Sequence, residues 1–267
     1  MVVIDTHCHA SRDWYEPIET LLYEMDSNGV DHAVLIQING QFDNTYQFEC
    51  VQRYPGRFAN VVMVDTERPD APAELERLAE RGASGVRLRP TTRSPGDDPL
   101  AIWRTADRLG LTVSCGGDGA GFASAEFAAT IQSLPALRIV IEHLGSVSRR
   151  DLDDVQQARR RAVFGLARFP NTFIKVTGLG EFCERALPVP GGFPFVQPIP
   201  PLLEEAYAAF RPSRMMWGSD FPPVAAREGY RLALNLTRDQ FGAKSDADRE
   251  QIFGQTASSV FNLAGAG

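Results

Sequence analysis

Two histidines near the start of the chain stand two residues apart, within the run VVIDTHCHA at 2–10. The run predicts a β-strand in which Val3, Asp5, His7 and His9 share one face, and two steps of about 3.3 Å separate the two imidazoles. Side chains at that spacing can lean onto one ion, because Zn–N bonds are about 2.0–2.1 Å long. The pair indicates a functional site, and the alternative is two histidines hydrogen-bonded within the core.

A third histidine and an aspartate end two later apolar runs. His143 follows the run LRIVIE, and Gly145 stands two residues on, where backbone can approach a ligand closely. Asp220 follows the run MMWGS, and burial would require its carboxylate to pair with a cation, a metal or a proton. Each residue alone could instead be a helix cap or a buried polar group whose hydrogen bonds are satisfied. Their matching placement at strand ends indicates a site shared with His7 and His9.

Three basic side chains lie inside other apolar runs. In GVRLRP, Arg87 and Arg89 share one face and Val86 and Leu88 share the other. If the apolar pair meets covering helices, both guanidinium groups point to the interior, where their planar fork suits a carboxylate. The arginines therefore predict an anion clamp, and the alternative is a salt bridge to an acidic residue. Lys175, in FIKVTG, is predicted either to bind substrate or to pair with a buried acid.

These residues belong to short β-rich runs that alternate with longer helical patterns. Strands are predicted at 2–10, 31–37, 57–65, 84–90, 111–117, 137–145, 171–179 and 213–222. Helices are predicted at 17–29, 42–54, 70–82, 97–110, 123–134, 150–168, 200–212, 227–241 and 246–263. The alternation favours a parallel sheet with right-handed crossovers, and eight such units predict an α/β fold closed as a (β/α)₈ TIM barrel. A nucleotide-binding Rossmann fold is not supported, because neither G-x-G-x-x-G nor a P-loop follows the first strand.

Composition narrows the classes of protein that fit. The 267 residues match one barrel of roughly 250 residues, so we expect a single domain over 1–267. The chain has 27 basic and 34 acidic residues and a net charge of −7, which argues against nucleic-acid binding. No apolar run approaches the roughly 20 residues of a membrane span, and the amino terminus lacks the features of a secretory signal. Four scattered cysteines predict reduced thiols in a cytoplasmic protein, and a homo-oligomer stays open.

Two segments lie outside the regular alternation. Residues 180–199, GEFCERALPVPGGFPFVQPI, are long for a structureless loop in a compact domain. Their Phe and Pro content predicts a folded active-site loop, and the alternative is an ordinary surface insertion. The chain is predicted to end in a helix within 243–267. His32 begins the second strand, at the end of the barrel that serves stability, and is predicted to be structural.

The motifs together resemble those of a known family. The ordered set IDTHCH, GVRLRP, IEHLG, FIKVTGL and WGSDFP resembles the amidohydrolase-related, metal-dependent hydrolases with a barrel fold. It most resembles the branch with 2-pyrone-4,6-dicarboxylate lactonase, sulfomuconolactone hydrolase and sugar lactonases. The resemblance spans nearly the whole chain. It implies that the family's H-x-H pair, strand-six histidine and strand-eight aspartate correspond to His7, His9, His143 and Asp220. The arginine that binds substrate carboxylate in the lactonase branch falls at Arg87 or Arg89.

The resemblance also implies a cofactor. It implies one divalent metal, zinc in the first place, held by His7, His9 and Asp220, and it equally allows metal-free catalysis. Decarboxylase relatives carry a further metal-binding histidine at the end of strand five. Here that strand, LTVSCGGDG, has no histidine, and Cys115 would be the alternative ligand.

The expected activity is hydrolysis of a lactone or other cyclic ester that bears a carboxylate. Asp220 would act as general base, and His7, His9 and His143, with or without a metal, would polarise the carbonyl. The substrate is expected to be a small molecule. A metal-dependent decarboxylase of an aromatic or muconate-type acid is the first alternative. A non-catalytic binding protein on a barrel scaffold is the second.

Overall fold

Eight parallel strands form one sheet whose order follows the chain. The computed structural model describes residues 1–147 and 153–263. The strands are β1 Ile4–Cys8, β2 His32–Ile36, β3 Phe58–Val62, β4 Gly85–Leu88, β5 Thr112–Cys115, β6 Ile139–Ile141, β7 Thr172–Val176 and β8 Met215–Trp217. Each lies inside a predicted run, and the α/β barrel prediction is confirmed.

The sheet closes where β1 meets the end of β8. The Asp220 amide donates to the His7 carbonyl at 2.9 Å, and the His9 amide donates to the Phe221 carbonyl at 2.8 Å. Gly218 leaves room for this approach, because a Cβ built there would lie 2.7 Å from the His7 Cβ. The first and last strands are thereby held edge to edge.

Helices follow the strands as the alternation requires. They are α1 Ile18–Asn28, α2 Thr45–Arg53, α3 Ala71–Glu80, α4 Ala101–Arg108, α5 Gly119–Phe122, α6 Ala125–Ser133, α7 Asp154–Phe164, α8 Leu202–Phe210, α9 Tyr230–Gln240, α10 Asp246–Glu250 and α11 Thr256–Phe261. Side-chain caps start several of them: the Oγ atoms of Ser124 and Ser245 accept from the amides three residues on. None of the helices within 1–147 and 153–263 has the length and hydropathy to cross a membrane. All four cysteines are free thiols.

Two helix predictions differ from the structure in their bounds. The helix predicted at 150–168 begins at Asp154, and positions 150–152 lie outside the described residues. In place of a single helix over 243–267, the structure has α10, a π-helical turn at Gln251–Gln255 and α11. Gly254 in that turn lies directly against the carbonyl of Val2, where a Cβ would overlap the oxygen. Residues 264–267 are also outside the described part of the chain.

The predicted alternation along β1 is wrong in its first half. The pairing with β2 matches Asp5 to Ala33 but Cys8 to Leu35, so β1 carries one extra residue there. Such a bulge moves the side chains beyond it to the opposite face. Ile4 consequently lies in the barrel interior. His7 lies there too, against Lys175 of β7.

The floor of the barrel is apolar and is covered by the C-terminal helix. Buried side chains of β1, β2, β3, β6 and β8 pack there against Ala257, Val260, Phe261 and Leu263. Thr112 of β5 ties this helix down by donating from Oγ1 to the Val260 carbonyl at 2.7 Å. The polar site therefore occupies only the opposite, carboxyl end of the strands.

Replacing Phe261 by Ala should test this closure of the floor. The ring is 1% exposed, and Phe→Ala in a core costs about 3–5 kcal/mol. We expect a loss of that size in the free energy of unfolding measured by denaturant titration. Val155→Ala is the control, because Val155 is 65% exposed and should change stability by less than about 0.5 kcal/mol. Equal losses in the two variants would contradict the packing described.

Candidate active site

The four residues singled out as catalytic meet at the carboxyl end of the barrel. His7 lies in β1 and His9 directly follows it, His143 follows β6 and Asp220 follows β8. The Nε2 atoms of His7 and His9 lie 3.8 and 3.7 Å from Asp220 Oδ1. The rings of His7 and His143 lie 4.5 Å apart between centroids. Barrel closure thus brings together groups more than 200 residues apart in sequence.

Two of these residues have left-handed backbone conformations. The φ of His143 is 52° and that of Asp220 is 60°, values that non-glycine residues seldom adopt. Gly145, with a φ of 68°, packs on Val163 so closely that any Cβ would overlap its methyl group. Strained residues of this kind persist where the surrounding structure fixes them, and they cluster at functional sites. The turn after β6 is therefore shaped to present the His143 ring to the barrel mouth.

Hydrogen bonds at Nδ1 orient two of the imidazoles. His9 Nδ1 lies 2.8 Å from the Ile36 carbonyl, which can only accept, so neutral His9 presents a lone pair at Nε2. His143 Nδ1 lies 2.9 Å from the Glu181 carboxylate. Burial acts to lower the pKa of His143, but the charges of Glu181 and Asp220 outweigh it and raise this pKa. His143 is the imidazole best suited to donate protons.

Lys175 lies beneath His7 and is fully buried. Its Nζ is 3.1 Å from His7 Nδ1 and donates to Ser114 Oγ at 2.9 Å. Burial lowers the pKa of Lys175 to about 8, although the nearby carboxylate of Glu142 opposes this shift. Burial, followed by the charge of Lys175, holds the pKa of His7 well below its ordinary value. Lys175 thus supports His7 from below, and its Nζ lies 4.0 Å from the buried acid Glu142, as the second of the two alternatives predicted for it requires. Contact of Lys175 with substrate stays a prediction.

Glu142 is the buried acid that balances these cations. It accepts from Arg87 Nη2 at 2.8 Å and from Ser114 Oγ at 2.7 Å, and its side chain is 1% exposed. Burial acts to raise the pKa of Glu142, but the charges of Arg87 and Lys175 lower it to about 2. Sequence reasoning missed this residue. Its signal was a carboxylate within the apolar run that precedes His143.

The two arginines of β4 have different environments. Val86 and Leu88 pack against the helices, as predicted, and Arg87 is committed to Glu142. Arg89 is exposed, and no ion-pair partner for it is found among the described residues. It borders a cavity of about 400 Å³ at the barrel mouth. Other residues that line this cavity are Asn39, Met63, Asp118, Glu142 and His143.

Arg227 is a further cation at the mouth, and sequence reasoning missed it. Its Nη1 donates to Asp220 Oδ2 at 2.9 Å, on the side of the carboxylate away from the histidines. Burial acts to raise the pKa of Asp220, yet His9, His143 and Arg227 together lower it. Asp220 is consequently ionised at neutral pH, with Oδ2 held and Oδ1 directed at His7 and His9.

The segment 180–199 is folded onto the barrel. The Ala186 amide donates to the Pro194 carbonyl at 2.9 Å, and the rings of Phe182 and Phe195 are buried. At its start, Glu181 reaches His143. Sequence reasoning marked the segment but not this residue.

The donors at the mouth fit a divalent metal. His7, His143 and Asp220 offer ligand atoms that all lie within 4.8 Å of one another. His7 Nε2 is buried and has no hydrogen-bond partner within residues 1–147 and 153–263, which leaves it able to coordinate. Two imidazoles and a carboxylate are ligands that Zn²⁺ accepts in catalytic sites, and the Glu181–His143 contact is the usual support for such a ligand. The metal ligands predicted from the sequence were His7, His9 and Asp220. His9 Nε2 lies 3.7 Å from Asp220 Oδ1, but the third member of the close group is His143.

Cys115 is not among these donors. It lies in the core layer between barrel and helices, and burial raises the pKa of its thiol well above the ordinary value. A neutral thiol that faces away from the barrel is not placed to bind a metal at the mouth.

Comparison with known proteins decides the family. A family model described as amidohydrolase matches residues 4–263. The chain belongs to the amidohydrolase family. It is therefore an enzyme of the hydrolase class. The chain is 29% identical over 249 residues to an L-fucono-1,5-lactonase from Burkholderia ambifaria. The aligned region covers 82% of this chain and 80% of the relative.

Two solved structures share the fold. A zinc-bound amidohydrolase from Burkholderia multivorans superposes with a TM-score of 0.79 at 22% identity, covering 98% of this chain and 100% of the other. A protein named as a 2-pyrone-4,6-dicarboxylic acid hydrolase from Pseudomonas putida gives 0.74 at 22% identity, covering 98% of each chain. The resemblance inferred from the motifs is confirmed at the level of the family.

Replacing Glu142 by Gln should destabilise the protein in a pH-dependent way. The variant leaves Arg87 and Lys175 buried without their counter-charge, which costs about 3–5 kcal/mol at neutral pH. Because the pKa of Glu142 is about 2 when folded and its ordinary value is 4.5, its stabilisation is present above about pH 4.5 and is lost as pH falls toward 2.

The stability gap between wild type and Glu142→Gln should therefore narrow as pH is lowered through this window. Denaturant titrations at a series of pH values measure it. Glu74→Gln, which breaks only an exposed pair with Arg77, is the control and should show no such change. A gap that stays constant with pH would argue against the buried ion network.

Proposed function

We propose that this protein hydrolyses a lactone, with Asp220 as the general base. The observation that carries the proposal is the arrangement of imidazoles around one oxygen of an ionised aspartate. Asp220 Oδ1 lies 3.7–3.8 Å from two Nε2 atoms, and its other oxygen is held by Arg227. A carboxylate fixed in this way at the end of a barrel strand is suited to take a proton from water.

The proposed reaction assigns a separate task to each imidazole. Water donates one hydrogen bond to Asp220 Oδ1 and a second to the lone pair of His9 Nε2. Its oxygen adds to the lactone carbonyl carbon as Asp220 takes the proton. His143 donates to the carbonyl oxygen, where negative charge develops, and His7 assists from Nε2 while Lys175 donates to its Nδ1. The ring C–O bond then breaks, and the departing alkoxide takes the proton that Asp220 received.

A divalent metal would replace His7 and His143 as the group that polarises the carbonyl, because an Nε2 atom that binds a metal cannot also donate a hydrogen bond. His7, His143 and Asp220 would hold it, and when bound it would polarise the carbonyl as a Lewis acid. The roles of His9, Glu181 and Arg227 in orienting water and its base are the same with or without it.

The substrate is proposed to carry a carboxylate. Arg87 is neutralised by Glu142, so Arg89 is the guanidinium at the cavity for which the described part of the chain supplies no ion-pair partner. It is placed to bind an anionic group and orient the ring toward His143. Similarity to an L-fucono-1,5-lactonase favours a small sugar-derived lactone as the ring that is opened.

Replacing Asp220 by Asn should lower kcat for lactone hydrolysis by about 10²–10⁴-fold, because an amide cannot accept the proton from water. A panel of aldonolactones and carboxylate-bearing lactones, followed by proton release and product analysis, measures it. His32→Gln is the control, since the Nδ1 atom of this histidine lies 2.7 Å from the Gly56 carbonyl at the far end of the barrel.

Three outcomes would contradict the proposal. Wild-type turnover in Asp220→Asn would remove the base. Release of carbon dioxide from carboxylated arenes, without ring opening, would make the protein a decarboxylase. Recovery of every bound lactone unchanged would make it a binding protein.

A further inference from the structure

Two consecutive residues after β8 hold both carboxylates of the proposed site. Arg227 binds Asp220, and Glu228 next to it binds the loop that carries Glu181. A short 3-10 turn, Pro223–Ala226, leads into the pair, and the Gly229 amide closes it by donating to the Val224 carbonyl at 2.9 Å. The pair therefore links the loop after β8 to the loop after β7.

The Glu228 carboxylate is built into the loop after β7. Its side chain has no solvent exposure, and Oε1 accepts from the Gly180 amide at 3.0 Å. Gly178 and Gly180 both lie so close to its oxygens that a Cβ at either position would overlap them. We call this close packing of Gly178 and Gly180 against the Glu228 carboxylate the Gly180 cradle.

The loop held in this way delivers Glu181 to His143. Glu181 directly follows Gly180, and its Oε1 lies 2.9 Å from His143 Nδ1. This contact with Glu181 fixes the direction of the His143 ring from outside its own turn. A displaced Gly180 would carry Glu181 away from the imidazole.

We propose that Glu228 is a positioning residue, which sets the orientation of His143 through the Gly180 amide and the Glu181 carboxylate. The proposal rests on the proposed function for its catalytic consequence, and on geometry alone for the orientation of the ring. Glu228 itself is not among the residues that line the cavity.

The variants that test it are Glu228→Ala and Glu228→Gln. The amide of the Gln variant retains an oxygen that can accept from Gly180, and the Ala variant does not. Loss of an outer partner of this kind typically costs about 10–100-fold in activity. We expect Glu228→Ala to lower kcat by that factor with little change in KM, and Glu228→Gln to stay close to wild type. Glu204→Ala, at an exposed pair with Lys244, is the surface control.

A proton NMR measurement tests the orientation without any substrate. The His143 Nδ1–H, bonded to Glu181, should give a downfield, slowly exchanging signal, which is assigned by its loss in His143→Gln. Glu228→Ala should lose that signal and keep the one from His9 Nδ1–H, which is bonded to Ile36. If Glu228→Ala does not fold, Glu228→Asp, whose carboxylate is one methylene shorter, is expected to lose the signal in the same way.

The outcomes separate this proposal from the proposed function. If wild type opens no lactone, the proposed function fails, and the NMR signals still decide the positioning role. A wild-type His143 signal in Glu228→Ala would overturn the proposal, as would wild-type kcat after loss of the signal. Equal losses in the Ala and Gln variants would also overturn it, because the effect would then run through charge on Arg227 and not through the Gly180 hydrogen bond.

Discussion

The backbone contact between β1 and the end of β8 is the interaction on which the site depends. It joins His7 to Asp220 and His9 to Phe221, so that the first strand presents two imidazoles to a carboxylate from the last. The Asp5 carboxylate reinforces the junction by accepting from both the His7 and the Ser219 amides. A barrel that did not close here would separate Asp220 from His7 and His9.

Beneath this junction, the upper barrel interior is charged, and the charges support the site in layers. Glu142 lies between Arg87 and Lys175, and Lys175 in turn supports His7. Burial of a charged group is unfavourable unless it is paired, so removal of one member of this network leaves the others as unpaired buried charges. Above them, Glu181 and Arg227 fix the direction of His143 and Asp220. The side chains of the candidate site are therefore oriented by ion pairs at His143 and Asp220 and by a backbone carbonyl at His9.

Most of the fold and the centre of the site could be predicted from the sequence. Regular βα alternation gave eight strands and, by closure, the meeting of His7, His9, His143 and Asp220. The bulge in β1 could not be predicted, because alternation assumes an unbroken pleat. Glu142 and Lys175 become partners only when β6 and β7 pair. Glu181, Arg227 and Glu228 lie on loops, whose course depends on tertiary contacts such as the Gly180 cradle.

The proposed reaction requires His7 and Asp220, 213 positions apart, to act in the same step at the β1–β8 junction. A double-mutant cycle on kcat/KM for lactone opening, with His7→Gln, Asp220→Asn and the double variant, measures this most directly. Residues that act as a unit are strongly non-additive, so the double variant should be about as slow as the slower single variant. Losses that multiply in the double variant would show that the two residues act independently, and this would contradict the account.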